Sequence, residues 1–392
     1  MSSSFHIPYG KQDITQSDID AVVETLKADF LTQGPKILEF EQNFAKYVGS
    51  KYAVALSNGT AALHLGLMAL GVTTGDRIIT SPITFSASAN AALYCGAEVH
   101  FADIDSDTYV ISLTEVEKLL SNHPKGYFKV IVPVDFGGYP VNTEKLRALA
   151  DKYDTAILED ACHAPGAYFV DSKQQKERSG AGTYSDATIF SFHPVKHIAA
   201  GEGGMLTTNS EAIYKSAATL RTHGITKENM EMDFPNADDQ GSWYYEMQEL
   251  GYNYRITDIQ AALANSQLTK AHKGIERRQE IAQKYREAFN SKGIKYQSFD
   301  EKHFNGHHLF VIEVENRKGL YDDLRTHNIF SQIHYIPVHL LPYYRKLGWN
   351  VGDFPNAEKY YQHCISLPMY PTLTEEEQDF VIQKVIDFVS RK

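Results

Sequence analysis

The chain has 392 residues, 43% of them hydrophobic, and a formal net charge of −11 at pH 7. That length suggests one large domain and a smaller one, and the acidic balance argues against nucleic acid, whose binding rests on Lys and Arg contacts to phosphates. No apolar run approaches the roughly 18 residues that span a bilayer, and Met1-Ser2-Ser3-Ser4 opens no cationic, apolar-cored leader, so a cytoplasmic chain with no membrane partner is expected.

Ser17 is predicted to open a first helix, with Asp20 at the capping-box position and Ile19, Val22, Val23 and Leu26 on one face. A second helix over Ile37–Tyr47 carries Ile37, Phe40, Phe44 and Tyr47 on one side and stops at Gly49. An alternating pattern follows. Strands are predicted at Tyr52–Leu56, Arg77–Ser81, Glu98–Phe101, Val130–Val134, Thr155–Glu159, Ala187–Phe192 and Gly204–Thr208. Helices between them cover Thr60–Leu70, Phe85–Tyr94, Leu113–Leu120 and Thr143–Lys152. Short apolar strands alternating with helices mean an α/β domain whose central sheet is mostly parallel. The segment Thr226–Trp243 is polar, acidic and aperiodic, as in a long loop. Leu263–Phe289 reads as a long helix leaving this domain. Strands near Leu309–Val314 and Ser331–Tyr335, with helices near Asn356–Cys364 and Glu375–Ser390, make a smaller α+β domain. The division falls at residues 1–260, including an N-terminal helical arm, and 261–392.

In sheets of this kind ligands sit outside the carboxyl ends of the strands, and the polar groups worth attention fall there. Phe190-Ser191-Phe192-His193-Pro194-Val195-Lys196-His197 runs from an apolar strand into one lysine, and Gly201, Gly203 and Gly204 follow. Glycines let a bulky ligand approach the backbone. A lysine partly desolvated among aromatics and histidines deprotonates more easily and can act as a nucleophile. Taken alone, it also fits a surface lysine beside a turn. Asp160 follows Ala156-Ile157-Leu158-Glu159, where a carboxylate costs free energy unless paired; a turn cap or a ligand nitrogen would serve. Asn58-Gly59-Thr60 ends a strand and opens a helix, whose exposed N–H groups either are capped by Asn58 or Thr60 or receive an anion. Cys95, Cys162 and Cys364 form neither a disulfide framework nor metal-ligand spacing. Of the 16 histidines, His193 and His197 fall on a predicted loop and His307-His308 alternate across a predicted strand, so no metal site is expected.

The Ser-Phe-His-Pro-Val-Lys run, together with Gly251-Tyr252-Asn253-Tyr254-Arg255-Ile256-Thr257-Asp258, resembles the DegT/DnrJ/EryC1/StrS sugar aminotransferases. The resemblance extends from about Pro8 to the last helix. It implies a fold-type-I enzyme dependent on pyridoxal 5′-phosphate (PLP, aminated form PMP), with Lys196 carrying the cofactor and Asp160 pairing its ring nitrogen. It further implies that Gly59, Thr60 and Ser191 hold the phosphate, that Phe85 stacks on the ring, and that His163 contacts the ring oxygen. Asn253 is then expected to reach the phosphate of a neighbouring subunit, in a homodimer with shared active sites. His193, His334 and Tyr335 stand as candidates for the substrate side. The two runs look most like the branch that makes UDP-4-amino-4,6-dideoxy-N-acetyl-β-L-altrosamine, a precursor of pseudaminic acid. That branch takes its amino group from L-glutamate, leaving 2-oxoglutarate, and uses a nucleotide-linked sugar as acceptor. Other UDP- or dTDP-linked 3- or 4-keto sugars remain alternatives. A PLP sugar dehydratase is disfavoured because such relatives replace the lysine with histidine. A ligand-sensing regulator would need a basic DNA-binding module, and no basic stretch is present.

Overall fold

The computed structural model describes residues 5–226, 241, 243–298 and 300–391. Seven of the predicted strands form one sheet: β1 (Tyr52–Leu56), β2 (Arg77–Thr80), β3 (Glu98–Phe101), β4 (Val130–Val132), β5 (Ala156–Asp160), β6 (Ala187–Ser191) and β7 (Gly204–Thr208). Their order is β1-β7-β6-β5-β4-β2-β3. Every neighbouring pair is parallel except the two made by β7, which runs antiparallel to β1 and β6. This is the mostly parallel α/β architecture that short, doubly buried apolar strands dictate. No helix among the described residues is long and apolar enough to cross a membrane.

Helices α1 (Gln16–Leu26), α2 (Pro35–Val48) and α3 (Gly59–Ala69) come next to this sheet in the chain. Pro35 starts α2, where its missing N–H would have no helical partner, and Gly49 ends it at φ 94°. Buried Phe44 meets Phe190 and Phe192 edge-on at ring-centre distances of 4.9 and 5.3 Å, and Phe40 meets Phe192 at 5.1 Å. Edge-to-face packing of this kind fixes the carboxyl end of β6 against α2. Toward the C-terminus an antiparallel sheet of Lys295–Tyr296, Phe310–Glu313 and Cys364–Leu367 lies in a second apolar cluster with Tyr285, Phe289 and Val381. Ile7 joins that cluster, because Ile7–Pro8 pairs in parallel with Ile329–Phe330.

Several expectations are corrected. α1 is capped at Thr15 and not Ser17: Asp18 accepts the Thr15 N–H at 2.7 Å. Its predicted apolar face points outward in the single chain, with Ile19, Val23 and Leu26 exposed, while Asp18 and Thr25 are buried. The reason is an ionic anchor. Asp18 is fully buried and accepts from Lys270 Nζ (2.7 Å), Gln267 Nε2 (2.9 Å) and Ser266 Oγ (2.7 Å). The long predicted helix is two, Asp258–Thr269 and Ala271–Asn290, broken at Lys270 (φ −109°, ψ 3°), the residue whose side chain reaches Asp18. Residues 331–335 are not a strand. One bridge joins Gln332 to Ser366, and the His334 carbonyl accepts from the Tyr360 hydroxyl at 2.6 Å instead of from a ladder. Of the predicted 226–243 loop, residues 227–240 and 242 lie outside the described residues; Ile225–Thr226 pairs with Glu246–Met247 beside it.

The Asp18 anchor is testable. Burial opposes the Asp18 charge, but the bonds from Lys270, Thr15 and Ser266 overcome it and hold the carboxyl below its ordinary range. A depressed carboxyl pKa adds stability above the unfolded value of about 4, and that contribution fades as pH falls through the folded value. Asp18→Ala is expected to cost about 3 kcal/mol at pH 7, because Lys270 loses its partner. Adding Lys270→Met should recover part of the loss. Chemical denaturation at pH 7 and at pH 3 checks both the size and the shrinkage of the effect.

Candidate active site

Local hydrogen bonds place the lysine. Beyond β6 the chain doubles back: Phe192 N–H donates to Gly203 O, Ala200 N–H to Phe192 O, and Lys196 N–H to His193 O, all at 2.8 Å. Lys196 therefore sits in a closed loop and not on a loose turn. The glycines beyond it act differently from the expectation that they clear space for a ligand. Gly201 takes a left-handed φ of 76°, whereas a Cβ on Gly204 would lie 2.3 Å from the Asn58 carbonyl. Gly204 thus lets the β1–α3 turn press onto β7.

A cavity of about 730 Å³ opens at the carboxyl edge of the sheet, a size that suits a cofactor with part of a substrate. Asp160, 5% exposed, ends β5 and faces it. Its Oδ2 accepts from Ser88 Oγ at 2.7 Å and its Oδ1 from the Cys162 N–H at 3.2 Å. Lys196 opens into the same cavity, and its Nζ lies 3.4 Å from His308 Nε2. Burial lowers the Lys196 pKa to about 8, against the opposing pull of Cys162 and Asp160 and with help from Arg278. His163 is buried; its Nδ1 accepts the Gly137 N–H at 3.3 Å, so in the neutral ring Nε2 carries the proton and meets Tyr335 Oη at 3.3 Å. Burial, reinforced by the Lys196 charge, holds His163 well below the usual histidine range.

The start of α3 lines the same cavity. Asn58 Oδ1 accepts the Ala61 N–H at 2.8 Å, so the capping expected of Asn58 is real, but it occupies a single donor. The N–H groups of Gly59 and Thr60 precede that capped position, and both residues line the cavity together with Ser191. A Cβ on Gly59 would come within 3.0 Å of Ser191 Cβ, so glycine keeps helix start and strand end together. Backbone donors, a hydroxyl and the positive end of a helix form an anion cradle.

The structure brings Gly59, Thr60, Phe85, Asp160, His163, Ser191, His193, Lys196, His334 and Tyr335 to one cavity. Phe85 and His193 stand at its exposed rim, and His334 is buried with Nδ1 2.8 Å from Ser366 Oγ. Asn253 does not join them. It is exposed, pairs its backbone with Thr222, and lies outside the cavity lining of its own chain. Ser88, His308 and Arg278 escape sequence reasoning. Ser88 follows Phe85 by one helical turn, a signal that could have found it; His308 and Arg278 reach Lys196 only through tertiary packing.

A buried carboxylate, an amine of lowered basicity and an anion cradle around one slot fit a phosphorylated pyridine aldehyde, and with this sheet they define an α/β aminotransferase. The chain belongs to the DegT/DnrJ/EryC1/StrS aminotransferase family, whose pattern matches residues 12–386. It is 38% identical over 395 residues to the spore coat polysaccharide biosynthesis protein SpsC of Bacillus subtilis, covering 98% of this chain and 97% of that protein. It is 35% identical over 381 residues to the UDP-4-amino-4,6-dideoxy-N-acetyl-β-L-altrosamine transaminase of Campylobacter jejuni, covering 96% and 95%. Among solved structures, the PLP form of Spr1654 from Streptococcus pneumoniae superposes with a TM-score of 0.87 at 29% identity, covering 97% of each chain, and a PMP form gives the same score. The protein is a sugar aminotransferase.

Asp160→Asn should leave PLP binding largely intact and slow the half-reaction with L-glutamate by roughly ten- to a few-hundred-fold, the loss of a charged hydrogen bond of about 1.5–3 kcal/mol. Ser88→Ala, which only loosens that carboxylate, should cost less, about five-fold or ~1 kcal/mol. Single-turnover absorbance with glutamate measures both.

Proposed function

We propose that the enzyme moves the amino group of L-glutamate to the C4 ketone of a UDP-linked keto-6-deoxy sugar in the cytoplasm. The expected acceptor is UDP-2-acetamido-2,6-dideoxy-β-L-arabino-hex-4-ulose of pseudaminic acid biosynthesis, and the cofactor is PLP. The observation that carries this reading is the single cavity shared by Asp160, Lys196 and the open start of α3. The name of the Campylobacter jejuni relative supports the acceptor.

When bound, PLP supplies an electron sink that lets a proton leave the carbon bearing the amino group. The protein residues do the rest. Lys196 carries the cofactor and, once displaced by glutamate, moves the proton between the amino acid's α-carbon and the cofactor's C4′; a pKa near 8 lets one amine both take and return it. Asp160, steadied by Ser88 and the Cys162 N–H, turns a negative charge toward the ring nitrogen. The Gly59 and Thr60 N–H groups and Ser191 hold the phosphate, Phe85 covers the ring, and His163 meets its oxygen. His193, His334 and Tyr335 face the sugar.

The same reading makes the enzyme a homodimer. Asn253 lies outside its own chain's cavity, which suits a residue that serves the neighbour's phosphate. Ile14, Ile19, Val23, Leu26, Phe30 and Leu31 leave an apolar surface along the N-terminal arm, the kind of patch a second subunit covers.

Purified enzyme with glutamate, offered a panel of UDP- and dTDP-linked 3- and 4-keto sugars, should aminate the UDP-linked 4-keto-6-deoxy sugar fastest, with the product identified by mass spectrometry and NMR. Preference for a dTDP-linked or 3-keto sugar would move the reading to that substrate. For the shared site, Lys196→Ala and Asn253→Ala subunits, each impaired alone, should on co-expression form heterodimers with up to about half of wild-type activity, one site carrying both defects and the other neither. Tagged heterodimers no more active than their parents would contradict cross-subunit use of Asn253.

A further inference from the structure

Behind Lys196 lies a buried charge that none of these roles uses. Arg278, on the helix Ala271–Asn290, is 2% exposed. Its Nη1 donates to three backbone carbonyls, those of His307 (3.1 Å), His308 (3.4 Å) and Met369 (2.9 Å). Its Nε has no protein partner, and no carboxylate pairs with it among the described residues. A guanidinium buried without an acid is an expensive arrangement, kept only where something offsets it. Two consequences follow. The carbonyl bonds fix the main chain at His307 and His308, and with it the imidazole of His308. The unbalanced positive charge also acts on Lys196, whose pKa it helps burial to lower.

His308 links the two. Its Nε2 is 3.4 Å from Lys196 Nζ, and its buried Nδ1 meets no protein group. If Lys196 were an ammonium donating to Nε2, Nδ1 would carry an unmet buried N–H. If Lys196 is an uncharged amine, Nε2–H donates to its lone pair and Nδ1 lacks only a donor, which is the less costly vacancy. The other groups around Lys196 leave this balance standing. His163, His197, His334 and His308 are all held below the usual histidine range by burial, so they are neutral, and burial likewise keeps Tyr335 and Cys162 protonated. Asp160 is the one carboxylate of the group that favours the ammonium, and Ser88 and the Cys162 N–H already bond it.

We propose that Arg278 and His308 form a positioning unit that favours loss of the proton from the unmodified amine of Lys196 and aims that amine into the cavity. The proposal rests on Lys196 being the reactive lysine, but not on which sugar is aminated. His308 lines the cavity beside Lys196, while Arg278 is buried behind it; in this proposal both act through Lys196.

The test uses the full-length apoprotein. Brief acetic anhydride pulses over a pH series, read by mass spectrometry of the Lys196 peptide against surface lysines, give the titration of that amine. Wild type should show a midpoint near 8. Arg278→Met should raise it by about one unit, lowering Lys196 labelling at pH 7 about ten-fold, and Arg278→Lys should restore most of the difference. His308→Phe should slow the capture of added PLP about ten-fold; in that step the amine nitrogen bonds to the aldehyde carbon and the carbonyl oxygen leaves as water. Its affinity for PMP, which has no aldehyde and reads the cradle alone, should be unchanged. A folded Arg278→Met with the wild-type midpoint, or a His308→Phe that captures PLP at the wild-type rate, overturns the proposal. If Arg278→Met does not fold, His308→Phe decides alone. Fixation of PLP at another lysine would overturn the assignment of Lys196 itself, and the unit with it.

Discussion

The site depends on a carboxylate taken out of water. Asp160 is 5% exposed at the end of a strand whose preceding residues are buried, and such a charge persists only if its lone pairs are met. Ser88 and the Cys162 N–H meet two directions, and the remaining one faces the cavity. In the proposed function, a protonated ring nitrogen would complete that open direction. The other parts stand at fixed places relative to it. Parallel pairing sets β6 beside β5, and the aromatic packing of α2 holds the end of β6 where Ser191 and the Lys196 loop begin.

Asp160 and Lys196 share one small space but have unequal surroundings. Asp160 accepts hydrogen bonds from Ser88 and the Cys162 N–H, whereas Lys196 has a neutral imidazole and a buried arginine behind it, and burial lowers its pKa. Beneath the cavity floor, Asp135 and Glu159 are both buried; burial raises both carboxyls, and the neighbouring Glu159 raises Asp135 further.

Much of this was legible in the residues, and the exceptions have physical causes. The seven strands could be read because each is a short apolar run bounded by polar residues, and their carboxyl ends pointed to Asp160, Ser191 and Lys196 as one site. The start of α1 was misread because Ser17 and Asp20 make a plausible local cap, while the true cap serves an anchor to Lys270, more than 250 residues away. The same anchor breaks the long helix at Lys270, where no glycine or proline announces a break. His308 lies 112 residues from Lys196 in the chain, and their contact forms only once these distant segments pack together. The apolar face of α1 was correctly recognised as a stripe, but a stripe does not say whether its own core or a second subunit will cover it.

The most direct test is to reduce the PLP-loaded enzyme with borohydride and map the modified peptide. The account predicts a visible absorption band that disappears on reduction and a cofactor fixed covalently to Lys196, with none fixed in Lys196→Ala. A label on any other lysine, or normal turnover by Lys196→Ala, would contradict it.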